Sequence, residues 1–284
     1  MRSTIRKSAH RSASFCNPLQ RFAHPVNLAV QLSALAEFAA LFVKYRRSAK
    51  RRLSSRRVHP SPSSRRLLPA LESTLRRFAL DAGSIPALRR SHLDVVAKML
   101  AAEIRRSNRL ALMFICTHNS RRSQLSHAWA QTIVQGLGLP ISVSSGGTGP
   151  TAVHPSVIAA LRTAGFRLSE GSPTGARWLA EFAQGAPAVE LWSKKWDCAS
   201  NPKDNFITIA NCAAAEESCP NIPGALARLA MLYEDPRLAD GTEHELDAYL
   251  ATSTQIGIET SWMLDQVASP PTSAVKRIGR RPNE

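Results

Sequence analysis

A cysteine at the end of an apolar run is followed at close spacing by an arginine and a serine. The stretch reads FICTHNSRRSQ and contains Cys116, Arg122 and Ser123. A thiolate is a nucleophile, and a guanidinium forms two parallel hydrogen bonds to an oxyanion, which a lysine does not. Positive surroundings also lower the pKa of a cysteine from its usual value of about 8.5. The three residues are therefore candidates for covalent chemistry on a tetrahedral oxyanion, with Ser123 hydrogen-bonded to the thiolate.

The flanking patterns predict a strand before this cysteine and a helix after it. Residues 110–115 are continuously apolar, as in a strand buried on both faces, whereas residues 122–137 have helical periodicity. This order places the thiol at the carboxyl edge of a parallel sheet, with the N–H groups of a helix N-terminus aimed at it. The linking residues can form an anion-binding nest of backbone N–H groups. The predicted oxyanion-binding residues are Thr117, His118, Asn119, Ser120, Arg121, Arg122 and Ser123. Taken alone, Cys116 is equally compatible with a buried structural thiol.

Strands and helices alternate through the rest of the body. We expect strands at 141–145, at 205–210 and within 225–233, and helices at 155–164 and 243–267. A further helix is expected from Ser91, whose spacing to Asp94 matches a capping box. Residues 171–204 are rich in Gly, Ala and Pro and are interpreted as a flap or long loop with a short strand at 188–192. The predicted fold is α/β, a four-stranded parallel sheet with helices on both faces.

The positive charge is concentrated at the N-terminus. Residues 1–80 contain 17 Lys and Arg against two acids, whereas the remainder contains 20 against 19, within a total net charge of +16. A nucleic-acid-binding body is therefore not indicated. We expect a basic, largely disordered or helical leader over 1–90, a catalytic domain over 91–268 and a disordered tail over 269–284. The apolar patch at 26–43 is marginal for a membrane span, so membrane association is not expected.

Three origins for the leader remain open. It is compatible with an organelle transit peptide, with an interfacial helix, or with an extension upstream of a true start at Met99. The five cysteines (Cys16, Cys116, Cys198, Cys212 and Cys219) are odd in number and argue against a secreted disulfide scaffold. We therefore expect a cytoplasmic protein, or an organellar one if the leader is a transit peptide.

At these residues the sequence resembles the low-molecular-weight protein tyrosine phosphatase superfamily, which includes the thioredoxin-coupled arsenate reductases. The family loop Cys-x5-Arg-Ser/Thr is matched by CTHNSRRS at 116–123. The likeness extends through SSGGTGPTAVHPSVIAALRTAGF at 144–166 and resumes at 207–246, where it is closest to the arsenate reductases. The resemblance implies the four-stranded fold and covers residues 108–268.

The resemblance also implies further site residues. Asp235, followed by a proline, would be the general acid, although Asp-Pro is also common in ordinary turns. Cys212 and Cys219 would be the two further redox cysteines of a thiol–disulfide relay that starts at Cys116 and is reduced by thioredoxin. They are also compatible with incidental small hydrophobic residues. The substrate would be arsenate, phosphate or a phosphotyrosine protein, and neither a cofactor nor a metal is expected.

The loop departs from the arsenate-reductase pattern at two positions. His118 replaces a glycine, and a backbone angle that suits glycine would be costly for it. Arg121 replaces a small residue or cysteine and either attracts the anion or points to solvent. Trp192 and Trp196 would either form an aromatic wall for a phosphotyrosine ring or serve packing, and Cys198 has no family counterpart. The prediction is an arsenate reductase; the alternatives are a tyrosine phosphatase and a non-catalytic oxyanion sensor.

Overall fold

The computed structural model describes residues 66–173, 176–218 and 222–269. The predictions for the leader before residue 66, for the tail after residue 269 and for Cys16 and Cys219 lie outside these residues. The helices are α1 (Pro69–Asp81), α2 (Ala87–Ser107), α3 (Arg122–Leu137), α4 (Pro155–Ala164), α5 (Ala213–Ser218) and α6 (Glu245–Ala268). The strands are β1 (Leu110–Cys116), β2 (Ile141–Gly147), β3 (Arg167–Glu170), β4 (Trp178–Glu181), β5 (Val189–Leu191), β6 (Phe206–Ala210) and β7 (Ala225–Ala230).

A four-stranded parallel sheet forms the centre of the fold. Its strand order is β2-β1-β6-β7, so β1 lies in the interior with β2 and β6 as neighbours. Along β1, Cys116 is paired with Gly147 of β2, and Ile115 is paired with Ala210 of β6. The carboxyl ends of the three strands therefore meet at one edge of the sheet, and the predicted parallel α/β fold is confirmed.

Helices cover both faces of this sheet because side chains alternate along each buried strand. Phe114 is paired with Ser145 across the sheet, and the Ser145 hydroxyl lies 3.4 Å from the His127 ring on α3. Met113 and Ile115 belong to an apolar cluster that also contains Ala215 of α5. One face is thus covered by the long helix α3, and the other by the short helix α5.

Two helices precede the first strand. Residues 69–90, assigned above to the leader, form α1 and the first turn of α2, and the side chains of Leu71 and Phe78 on α1 are buried. The α2 side chains of Leu93, Val96 and Leu100 are buried. The expected capping box is wrong, because Ser91 lies inside α2 and donates its hydroxyl to the Ala87 carbonyl. Within the described residues, no helix is both long and apolar enough to span a membrane.

The segment 171–204, predicted as a flap or long loop, contains two of the three strands of a second sheet. Strands β3, β4 and β5 pair antiparallel, with β4 in the middle. Only the strand near 188–192 was predicted, and it is confirmed as β5. Strands β3 and β4 have four residues each, too few for a two-residue alternation to stand out from the surrounding Gly and Ala. The residues that follow β5 lead back to the parallel sheet, where they contact the site described below.

Candidate functional site

The segment that follows β1 curls back on itself. We call residues 116–123 the oxyanion loop. The Cys116 Sγ lies 3.0 Å from the Ser123 Oγ although seven residues separate them in the chain, and both side chains are buried. Strand β1 ends at this thiol and α3 starts one residue before this hydroxyl, as the sequence predicted. The loop therefore brings the candidate nucleophile against the N-terminus of a helix, where an anion is stabilised.

Asn119 has the one left-handed backbone conformation in the loop. Its φ is +46°, a region that asparagine tolerates better than most residues. The backbone cost expected for His118 is therefore wrong, because His118 has no positive φ and the turn occurs one residue later. The Asn119 side chain donates to the Ser123 Oγ at 2.9 Å and accepts from the Lys194 backbone N–H at 3.0 Å. It thus fixes the hydroxyl that faces the Cys116 sulfur.

The glycines at the end of β2 allow the loop to approach the sheet. A Cβ placed on Gly147 would lie 2.7 Å from the Asn119 nitrogen and 2.8 Å from the Thr117 oxygen. The backbone N–H groups of Thr148 and Gly149 both donate to the Thr117 carbonyl at 2.9 Å. The stretch that carried the family resemblance at 144–149 is thus a support for the loop, and a side chain at Gly147 would displace it.

The residues after β5 contact the loop from its other side. Ser193 donates its hydroxyl to the His118 carbonyl at 2.7 Å. The Gln124 side-chain amide donates to the Asn119 carbonyl at 2.8 Å and to the Trp192 carbonyl at 2.9 Å. Sequence reasoning missed Gln124, Ser193 and Lys194 as supports, because residues this far apart reveal a contact only in the fold.

The two tryptophans of this segment serve packing. The Trp192 ring lies between the Arg177 guanidinium, 4.5 Å from its centroid, and the Lys194 ammonium, at 4.8 Å. Trp196 packs against the buried cluster that contains Cys116 and Cys212, and its backbone lies 2.5 Å from where a Cβ on Gly146 would be. Both rings therefore have protein partners, which favours the packing interpretation over an aromatic wall.

The Arg122 guanidinium contacts the segment that follows β7. Its Nη2 lies 2.5 Å from the Asp235 Oδ2, and its Nη1 donates to the Tyr233 carbonyl at 2.9 Å. The Arg122 Nε is buried and has no hydrogen-bond partner among the described residues. The structure thus brings the predicted general acid to the predicted oxyanion-binding arginine.

The Arg121 side chain does not point to solvent. Its Nη2 lies 2.6 Å from the Asp240 Oδ2, and its Nε donates to the Tyr249 hydroxyl at 2.6 Å. The Tyr249 hydroxyl donates in turn to the Asp240 Oδ1 at 2.8 Å. The solvent-facing alternative for this side chain is therefore wrong, whereas attraction of an anion by its charge stays a prediction.

Cys212 lies in the same buried cluster as the candidate nucleophile Cys116. It comes two residues after the end of β6, the strand that pairs with β1, and the Asn211 N–H donates to the Ile115 carbonyl at 2.7 Å. Cys116 and Cys212 belong to one buried cluster, and the Cys212 Sγ is 3.6 Å from the Thr117 Oγ1. Cys198 lies apart on a partly exposed turn, where a backbone and a side-chain hydrogen bond from Ser200 lower its thiol pKa.

Known proteins match this part of the chain. The model of the low molecular weight phosphotyrosine protein phosphatase family matches residues 111–182. The arsenate reductase of Bacillus licheniformis is 30% identical over 138 residues, which are 49% of this chain and 82% of that protein. The chain belongs to the low-molecular-weight protein tyrosine phosphatase superfamily. It is therefore an enzyme of the reductase or phosphatase type that this superfamily contains.

The chain is also similar to a second curated protein and to a solved structure. The arsenate reductase of Bacillus subtilis is 28% identical over 138 residues, again 49% of this chain and 82% of that protein. A solved structure described as an arsenate reductase in the phosphate binding state is 21% identical, with a TM-score of 0.36, and the match covers 56% of this chain and 98% of that one. The matched family region begins at residue 111, so α1 and α2 precede it.

Among the residues that the structure describes, one group of potential metal ligands lies next to the oxyanion loop. Suitable atoms of His154, Asp240 and Glu245 lie within 4.8 Å of one another. Asp240 is already bonded to Arg121 and Tyr249, and Glu245 accepts from the Ser156 hydroxyl and the Gly241 N–H. A cation would have to displace the Arg121 guanidinium, so this group is better described as a hydrogen-bonded network.

The two histidines flanking the loop differ in environment. His154 caps α4 by accepting from the Ser156 N–H at 3.3 Å. His127 is instead buried beneath β2. Burial lowers the pKa of His127 to about 3, and the positive charge of Lys194 acts in the same direction. His127 therefore remains neutral at physiological pH.

Proposed function

We propose that this protein is an arsenate reductase that uses the Cys-x5-Arg loop and a relay of three cysteines. The observation that carries the proposal is the location of Cys212 in the same buried cluster as Cys116, at the ends of two paired strands. Hydrolysis of a phosphocysteine needs one thiol, whereas reduction needs a second thiol near the first. The arsenate reductases among the relatives of the chain support the same choice.

The first step is attack by the Cys116 thiolate on arsenate. A thiolate–arsenic bond forms, and one arsenate oxygen leaves after it takes a proton from Asp235, so that water departs. Arg122 and the backbone N–H groups of the oxyanion loop hold the remaining oxygens. The Ser123 hydroxyl, fixed by Asn119, donates to the thiolate and stabilises it before attack.

The second step is the reduction. The Cys212 thiolate attacks the Cys116 sulfur, a Cys116–Cys212 disulfide forms, and the electron pair of the broken sulfur–arsenic bond leaves with arsenic as arsenite. Cys219 then attacks Cys212, which frees Cys116 and leaves a Cys212–Cys219 disulfide. A dithiol protein such as thioredoxin supplies the two electrons that restore the thiols. Such a relay requires a reducing compartment, and we propose the cytoplasm.

A phosphotyrosine phosphatase is the second candidate, and one observation favours it. The Arg122–Asp235 pair combines the anion-binding group and the acid that phosphate-ester hydrolysis requires, without involving Cys212. In that reaction Cys116 takes the phosphoryl group, Asp235 protonates the leaving phenol oxygen, and water cleaves the phosphocysteine.

Turnover by matched cysteine variants separates the two reactions. We expect wild-type protein to oxidise NADPH when given arsenate, thioredoxin and thioredoxin reductase. The Cys212→Ser variant should lose at least about 100-fold in this assay, because the relay lacks its second thiol. Cys116→Ser should lose all turnover, and Cys198→Ser, a thiol away from the loop, should retain it.

The same variants are tested with an aryl phosphate. If Cys212→Ser and Cys219→Ser reduce arsenate at the wild-type rate, the relay is wrong. If only aryl phosphate is turned over, the relay is wrong and the phosphatase is correct. Mass spectrometry of protein treated with arsenate but no reductant should show a Cys212–Cys219 disulfide. Free thiols throughout after turnover would also refute the relay.

A further inference from the structure

We propose that Arg121 and Asp240 form a clamp that keeps the acid-bearing segment docked on the oxyanion loop while Arg122 changes partner. The acid segment is defined here as residues 235–240. This inference rests on the proposed function, in which Asp235 is the general acid and Arg122 binds the oxyanion. Arg121 and Asp240 are positioning residues in this scheme and do not touch the reacting atoms.

Two consecutive arginines of the loop hold the two ends of the acid segment. Arg122 is paired with Asp235 at its start, at 2.5 Å, and Arg121 is paired with Asp240 at its end, at 2.6 Å. A 3₁₀ turn, Pro236–Ala239, lies between the two carboxylates. Because each end has its own ion pair, release of one end does not release the other.

Oxyanion binding weakens the first of these attachments. The guanidinium that binds two oxygens of the anion is the same group that pairs with Asp235, so the two acceptors compete for it. A bound anion also repels an ionised Asp235 carboxylate nearby and favours its protonated form, which is the form an acid needs. The Arg122–Asp235 pair is therefore weakened at the moment when Asp235 must donate its proton. At that moment only the Arg121–Asp240 pair holds the acid segment on the loop.

The attachment at Asp240 has the geometry of a closed network. Arg121 contacts both Asp240 and the Tyr249 hydroxyl, and the same hydroxyl donates to Asp240 at 2.8 Å. The His154 ring stacks on the Tyr249 ring with centroids 4.9 Å apart. The Arg121 and Asp240 side chains are only 15% and 26% exposed, so solvent screens this pair less than a surface ion pair.

This role depends on arginine at position 121. Two separate nitrogens of one planar group contact two different partners, an arrangement that the single ammonium of lysine does not provide. A small residue or cysteine, as in the arsenate-reductase loop described above, would leave Asp240 and Tyr249 without this partner. The departure from the family loop at Arg121 is thus accounted for by a contact to the acid segment.

Hydrogen exchange tests the clamp directly. Deuterium uptake over residues 235–242 is compared in wild type, Asp240→Asn and Glu243→Gln, each with and without inorganic phosphate. Glu243 is a matched control, since it is an acid three residues from Asp240 whose side chain is 87% exposed. We expect exchange in the Asp240→Asn variant to be about tenfold faster than in the control, and faster again with phosphate. Wild type and control should remain slow under both conditions.

Equal uptake in Asp240→Asn and Glu243→Gln would overturn the clamp. In the same data, slower exchange over residues 117–123 with phosphate reports oxyanion binding by the loop. If phosphate does not slow exchange over residues 117–123 in wild type, the proposed function is refuted instead. The clamp is then still tested by comparing Asp240→Asn with Glu243→Gln in the absence of phosphate. The two failures are thus distinguishable.

Kinetics add a readout that a merely structural role would not change. Asp240→Asn should lower kcat about tenfold on phenyl phosphate, whose leaving group needs protonation, and only about twofold on 4-nitrophenyl phosphate. The double variant Arg121→Gln with Asp240→Asn should be no worse than either single variant, because both remove one interaction. Equal losses on both esters, or additive losses in the double variant, would contradict positioning of the acid.

Discussion

The Asn119 side chain connects the start of α3 to the segment that follows β5. Its amide nitrogen donates to the Ser123 hydroxyl, which lies against the Cys116 sulfur, and its amide oxygen accepts from the Lys194 backbone N–H. The residue adopts a left-handed conformation that asparagine tolerates, so the backbone turn and the hydrogen bonds come from the same residue. A change at Asn119 is therefore expected to reach the nucleophile through Ser123.

His127 makes the stability of the protein depend on pH. In the unfolded chain its imidazole takes a proton near its usual pKa of about 6.5, whereas in the native state burial lowers that pKa to about 3. Between these values the unfolded state binds more protons, so the free energy of unfolding falls as pH falls, by up to about 1.4 kcal/mol per pH unit. Urea unfolding between pH 4.5 and pH 7 should show this slope.

A matched pair of variants separates His127 from the other titrating groups. His127→Asn should flatten the slope relative to wild type, and His244→Asn, at a position whose side chain is 75% exposed, should leave it unchanged. If His127→Asn has the wild-type slope, the native-state pKa of this histidine is not depressed.

At the scale of elements, the sequence predicted those with strong periodicity. Helix α3 begins and ends at the residues expected from its four-residue spacing, and β1 follows from its unbroken apolar run. The short strands β3 and β4 and the helix α5 were missed, because so few residues do not display a clear period. The contacts from Lys194 to Asn119 and from Arg121 to Asp240 were unpredictable for another reason, since only the fold brings residues so far apart in the chain together.

The crossing of α1 and α6 depends on a glycine. A Cβ on Gly257 would lie 2.2 Å from the Phe78 ring, and that ring is buried and packs edge-on against Trp129 at 4.9 Å. Gly257→Ala should therefore destabilise the protein by about 1–3 kcal/mol through overpacking, although alanine favours a helix by about 1 kcal/mol. Thermal or urea unfolding measures this loss.

A second substitution tests the cause of that loss. In a Phe78→Leu background the ring atoms that meet the new methyl group are gone, so Gly257→Ala should cost less there than in wild type. Gly83→Ala, at a position with no atom within 4 Å of the added Cβ, is the control for alanine at a glycine position. An equal cost in both backgrounds would show that Phe78 does not limit the crossing.

At the scale of the whole molecule, α1 and α2 belong to the folded body even though the matched family region begins after them. Arg89 on α2 pairs with Glu259 on α6 at 2.6 Å, and their side chains are only 10% and 4% exposed. The guanidinium also lies over the Tyr233 ring at 5.3 Å, and the Tyr233 carbonyl accepts from Arg122. Helix α2 thus contacts the residues that lead to the acid segment.

Two truncated chains test whether the fold depends on α1 and α2. A chain that begins at Arg66 retains α1 and α2 and should unfold at the temperature of the full chain. A chain that begins at Met99, the alternative start, lacks α1 and most of α2 and leaves Glu259 buried without its partner. Loss of one member of a buried pair costs about 3–5 kcal/mol, and the apolar contacts of Phe78, Leu93 and Val96 are lost with it. Since domains are stable by only about 5–15 kcal/mol, this chain should not fold.

Circular dichroism melting of both chains decides the question. A cooperative transition with wild-type turnover from the Met99 chain would show that α1 and α2 are dispensable.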